Sequence, residues 1–81
     1  MIRESHVQLG KQGLTENFII TLRGHFENHK IVKVSVLQSA RENKEDVKKH
    51  AMEMEKRLGD RYVAKVIGFT IILRKMKNPV R

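Results

Sequence analysis

Apolar and polar residues alternate along several short stretches of this chain and recur at helical spacing in two longer ones. In "SHVQLG" (Ser5–Gly10), Val7 and Leu9 share one side and His6 and Gln8 the other, which predicts a strand closed by glycine. "TENFIITLRGHFENHK" (Thr15–Lys30) spaces Phe18, Ile19, Leu22 and Phe26 as a helix does. Thr15 fits its N-cap, with Leu14 and Ile19 at the two positions of a hydrophobic staple. Gly24 inside this helix costs about 1 kcal/mol against Ala, and close packing on a sheet is one reason to keep it. "KIVKVSVL" (Lys30–Leu37) is the clearest strand: Val32, Val34 and Val36 on one face, Lys33 and Ser35 on the other. "QSARE" reads as a loop.

"NKEDVKKHAMEMEKRLG" (Asn43–Gly59) predicts the second helix, capped by Asn43, striped by Val47, Ala51, Met54 and Leu58, and stopped by Gly59. Met52 and Met54 read as packing residues. "RYVAKVIGFTIILRK" (Arg61–Lys75) predicts a hairpin about a Gly68-Phe69 turn of type II′. That turn pairs Ile67 with Thr70, Val66 with Ile71, Lys65 with Ile72 and Ala64 with Leu73. Tyr62, Ala64, Val66, Ile71 and Leu73 then share one face, and Val63, Lys65, Ile67, Thr70, Ile72 and Arg74 the other. The tail from Met76 to Arg81 is expected to fray, and the whole chain (1–81) reads as one domain.

The order is β-α-β-α-β-β. Right-handed crossovers put both helices on one face of a mixed sheet, a two-layer α/β (α+β) sandwich. The uncovered face is expected to be half polar and half apolar, with His6, Gln8, Lys33, Ser35, Lys65, Thr70 and Arg74 among Val63, Ile67 and Ile72.

Charge adds a direction to this picture. Residues 1–55 hold nine basic and eight acidic residues, whereas residues 56–81 hold eight and one. A clustered cationic excess suits a polyanion. The chain has no cysteine, which excludes disulfides, thiolate metal sites and thiol catalysis. No apolar run reaches the roughly 18 residues that span a bilayer, and "MIRESHVQL" lacks the apolar stretch of a secretion signal, so a cytoplasmic protein without a membrane partner is expected. No Ser-His-Asp set, carboxylate pair or metal cluster stands out; a non-enzymatic protein without metal or cofactor is expected. His25 and His29 share a helix face, but no third ligand accompanies them.

The candidate chemistry lies in "GKQG". A strand runs into Gly10-Lys11-Gln12-Gly13 and a helix runs out, so unpaired N–H groups, the helix dipole and Lys11 converge there. This is the recipe of a phosphate-binding turn; a plain strand-to-helix connection is the alternative. Arg61, Lys65, Arg74, Lys75 and Lys77 have almost no acidic neighbours and read as phosphate contacts, with Lys33 extending the patch. Phe69 at the hairpin tip is placed to stack on a base, or to pack at the core edge. The lysines of the second helix are interleaved with Glu45, Asp46, Glu53 and Glu55 and read as a solvated, salt-bridged face.

Three blocks, "HVQLGKQGLTENFI", "HKIVKVSVL" and "VAKVIGFTIILRK", together resemble the YhbY-type, or CRM (chloroplast RNA splicing and ribosome maturation), RNA-binding domain, with archaeal single-domain members nearest in style. The resemblance implies a fold similar to the C-terminal domain of translation initiation factor three, with sheet order 1-2-4-3 and the last strand antiparallel. It also implies RNA binding with the GxxG loop at the contact surface, and a role in large ribosomal subunit maturation or, in plants, intron splicing. Gly10, Lys11, Gln12 and Gly13 match the family's loop, Leu14 and Thr15 the residues after it, and Gly68 the hairpin glycine. Members usually carry a further helix of about 20 residues before the first strand; nine residues precede Gly10, so that helix is expected to be missing or truncated. Structured ribosomal RNA is therefore the expected partner. A small DNA-coating chromatin protein and an adaptor dimerising through the open sheet face are the alternatives.

Overall fold

The computed structural model describes residues 4–40 and 42–76. Four strands, β1 (Glu4–Leu9), β2 (Ile31–Val36), β3 (Tyr62–Ile67) and β4 (Thr70–Lys75), form one sheet in the order β1-β2-β4-β3. β1 runs parallel to β2, and β4 is antiparallel to both of its neighbours. The helices are α1 (Glu16–Phe26) and α2 (Lys44–Leu58). This is the expected α+β architecture and strand order.

Alternation decides which side of the sheet the helices cover. Val32, Val34 and Val36 of β2 are buried together with Leu9, Ile71 and Leu73 from the flanking strands. The helices meet them with Ile19, Leu22 and Phe26 from α1 and Val47, Ala51, Met54 and Leu58 from α2. Every buried side chain among the described residues is apolar. Phe26 meets Tyr62 edge-to-face, with ring centroids 5.0 Å apart, joining the end of α1 to the start of β3.

The ends of the elements follow local chemistry. The Thr15 hydroxyl accepts from the Phe18 N–H at 3.1 Å, and Asn43 caps α2 through Asp46 N–H at 3.1 Å. Gly59 closes α2, its N–H donating to Glu55 O. α1 stops at Phe26, four residues short of the expected Lys30, because its apolar stripe ends there and nothing beyond binds the chain to the core. The Glu27, Asn28 and His29 amides fold back onto the carbonyls of Gly24 and His25 instead. "QSA" (Gln38–Ala40) winds into one 3-10 turn, held to α2 by a hydrogen bond from His50 Nε2 to Ala40 O.

The hairpin register is the one the Gly68-Phe69 turn dictates. Gly68 has φ +59° and Phe69 a negative φ, the combination a type II′ turn needs. Met76 still donates its N–H to Arg61 O, so pairing extends to that residue; the rest of the expected tail, residues 77–81, lies outside the described residues.

Gly24 does not serve close packing. It is exposed, and a Cβ there would meet nothing within 4 Å. Gly24→Ala is therefore expected to raise stability by about 0.5–1 kcal/mol, and Thr15→Ala to lower it by about 1 kcal/mol, both read from urea denaturation midpoints.

Candidate nucleic-acid interface

The Gly10–Gly13 segment is a tight turn. Gly13 N–H donates to Gly10 O at 2.9 Å, leaving Lys11 and Gln12 exposed at the corners. The two glycines have different reasons to be there. Gly13 has φ +71°, where an L side chain is strained. Gly10 has no such need; a Cβ on it would sit 3.8 Å from Leu37 Cδ1, an ordinary contact. Leu14 packs against the core, and the Thr15 hydroxyl is committed to capping α1, so both shape the turn. Beside the turn lies an open depression of about 390 Å³, lined by Gln8, Gly10, Lys11, Gln12, Gly13, Thr15, Asn17, Phe18 and Thr21. Glu16 puts a carboxylate in the first turn of α1, so Lys11 is partly offset as an anion attractor.

The hairpin tip stands at the same end of the sheet. Val36 N–H donates to Phe69 O and Leu37 N–H to Leu9 O, which sets Phe69, Leu37 and the turn side by side. Phe69 is 39% and Leu37 38% exposed. Sequence spacing assigns Leu37 no role. Its only signal is that it stands where the alternation of β2 would put an outward polar residue.

The basic candidates gather elsewhere. On the face without helices, His6, Lys33, Ile72 and Lys65 form one row across the four strands, and Gln8, Ser35, Thr70 and Ile67 the next. Arg74 lies between Ile31 and Val63 in the row beyond. Lys33 and Lys65 therefore stand diagonally to Arg74, and Arg61, opposite Met76, stands diagonally on the other side. Strands β2, β3 and β4 contain no Asp or Glu. The side chains of Lys11, Arg61, Lys65 and Arg74 make no hydrogen bond or ion pair with a described residue. Lys75 alternates to the helix side of the strand end, away from this cluster, and Lys77 lies outside the described residues.

Arg74 and the hairpin tip are separated by about 17 Å, five residues of β2 at about 3.3 Å each. A shallow depression of about 340 Å³, lined by His6, Lys33, Ser35, Ile67, Thr70 and Ile72, lies between them. The candidates thus form two groups, the turn with the tip and the cluster around Arg74, joined by a strip of open sheet that mixes polar residues with Ile67 and Ile72. The rings of His25 and His29 are 6.4 Å apart and bond different partners. His25 Nδ1 shares a 2.5 Å hydrogen bond with Ser5 Oγ, and His29 Nδ1 donates to His25 O.

Residues 2–75 match the family model of the CRS1 / YhbY (CRM) domain. The chain belongs to the CRM domain family. Among curated proteins and among solved structures, no significant match to the chain is found. CRM domains are generally RNA-binding, with links to the ribosome or to RNA processing. In this CRM domain the GxxG turn and the hairpin tip stand at one end of the sheet, and the Arg74 cluster lies on its open face towards the other end.

The two glycines of the turn separate fold from function. Gly13→Ala is expected to cost about 1–2 kcal/mol of stability. Gly10→Ala should leave the denaturation midpoint unchanged, and should still weaken RNA binding in a filter assay if a phosphate or sugar closes on the turn backbone.

Proposed function

We propose that this CRM domain is a non-enzymatic binder of structured RNA that lays the RNA backbone along the open sheet face, from the GxxG turn to the cluster around Arg74. The supporting observation is the register that places Lys33, Lys65 and Arg61 around Arg74, on strands free of carboxylates. Gly10, Lys11, Gln12 and Gly13 hold one end of the track, with Leu14 and Thr15 shaping it. Gly68 and Phe69 at the hairpin tip offer a ring for a base to stack on. Lys75 follows Arg74 at the far end, where it adds to the field more than to the contact, and Lys77 adds a further positive charge to the sequence after it. The family's link to the ribosome makes ribosomal RNA, and assembly of the large subunit, the favoured setting.

Self-association through the same face is the weaker reading. A two-fold dimer would bring Arg74, Lys65 and Lys33 of one copy against those of the other, and like charges placed opposite one another destabilise. Duplex DNA offers the same phosphates without the 2′-hydroxyl, and competition at fixed salt separates it from RNA.

Affinity for a structured RNA should fall steeply between about 50 and 300 mM salt. Replacing Arg61, Lys65 and Arg74 by Gln together should reduce the slope of log affinity against log salt by about 2. Equal affinity at both salt concentrations would sink the electrostatic reading. In-cell crosslinking should recover large-subunit ribosomal RNA, and recovery of scattered genomic DNA instead would overturn the RNA assignment.

A further inference from the structure

The outer face of α2 carries Lys44, Lys48, Lys49, Met52 and Lys56, all exposed, Met52 at 70%. Lys44, Lys48, Met52 and Lys56 fall at successive i+4 positions, one ridge about 18 Å long. Spacing alone makes this a self-neutralising face, since Glu45, Asp46, Glu53 and Glu55 are interleaved with the lysines. The structure directs three of those four carboxylates elsewhere. Asp46 Oδ2 accepts from the Glu42 N–H at 2.8 Å, at the entrance of the helix. Glu53 pairs with Arg57 at 2.8 Å; that hydrogen bond, with the charges of Arg57 and Lys56, holds its carboxyl below the usual range. Glu55 Oε2 accepts from the Ala64 N–H of the edge strand β3 at 2.6 Å and so turns inward to the sheet. Glu45 is the carboxylate left on the ridge. Lys44, Lys48, Lys49 and Lys56 make no hydrogen bond or ion pair with a described residue.

We propose that this lysine ridge is a second polyanion-binding surface, which takes the phosphate backbone of a second RNA segment. The helices form the layer opposite the open sheet face, so one short duplex lying on that face does not reach α2. The domain would then hold two RNA segments, one on each side of its thickness. Charge complementarity selects the occupant. Four lysines lie along a convex helix, with Glu45 among them and Glu53, already engaged by Arg57, beside Lys56; the remaining cationic excess suits a phosphate track. The neighbouring depression of about 480 Å³ is lined by Met52 and Lys56 together with Glu55, Asp60, Tyr62 and Val63; its two carboxylates disfavour any anion, so the phosphate track runs along the ridge outside it. The proposal rests on the RNA reading above only for the identity of the polyanion.

The test uses the full chain and an RNA duplex of about 12 base pairs in excess at about 50 mM salt, with stoichiometry read by sedimentation. The wild type should bind two duplexes. The combined variant Lys48→Gln, Lys49→Gln and Lys56→Gln should bind one, with its affinity within about twofold of the tighter wild-type site, since the two surfaces are separate. Gln is close to Lys in helix propensity, and an unchanged circular dichroism spectrum verifies the fold. A wild type that binds a single duplex, or a variant that loses the tighter site, overturns the second surface. Displacement of the second duplex by polyglutamate overturns RNA as its occupant. A wild type that binds no RNA defeats the primary reading itself, an outcome distinct from a stoichiometry of one.

Discussion

The pairing of β2 with β4 is the constraint on which the other features depend. β2 is flanked on both sides and carries valine at every second position, so its valine face must meet the helices. Once Val34 is set against Ile71 and Val32 against Leu73, Lys33 and Arg74 have only the other face to occupy. The hairpin turn then brings Lys65 opposite Ile72 on that same face. A slip of one residue would bury the cations and expose the valines, so the register is held by the full apolar content of the sheet. Two helices cover one face of four strands, and the other face stays in contact with water.

Gathering cations on a sheet face raises repulsion, which solvent exposure and salt reduce but do not remove. The sequence of β2, β3 and β4 makes no attempt to neutralise it. Glu55 shows where carboxylates are used instead. Its bond to the Ala64 amide covers part of the exposed edge of β3, the kind of edge that otherwise invites pairing with another chain. The same bond takes a negative charge off the outer surface of α2. Edge protection and a more positive helix surface thus come from one side chain.

The parts legible in the sequence are those whose cause is local. Alternation located β2, and glycine at the hairpin tip fixed the pairing from Ile67–Thr70 to Ala64–Leu73. Thr15 and Asn43 announced the helix starts through capping chemistry. Helical spacing overran the end of α1, because Asn28 and His29 fit a helix as well as a turn when only spacing is read. Met52 and Met54 differ by two positions, 200° around α2, and only the latter faces the core. The GxxG turn was legible because its residues are contiguous. Around Arg74, the hairpin register alone sets Lys65 diagonal to it; only the place of Lys33 beside β4 needs strand order 1-2-4-3, which the family resemblance implies and alternation does not. The partners of Asp46 and Glu55 are backbone amides that no pattern of side chains reveals.

The two ends of the sheet differ in kind. The turn has one lysine, with Glu16 close by in the chain, so its electrostatic share is about one phosphate at most. What it has instead is geometry: a half-buried glycine turn with Leu37 and Phe69 beside it, both more than a third exposed. The Arg74 cluster offers the reverse, several cations within reach of one another and no aromatic ring. A nucleic acid held on this surface would draw most of its affinity from the cluster and its position from the turn. Phosphate contacts position a strand without reading sequence, so discrimination between RNAs would fall to the small apolar platform at the tip.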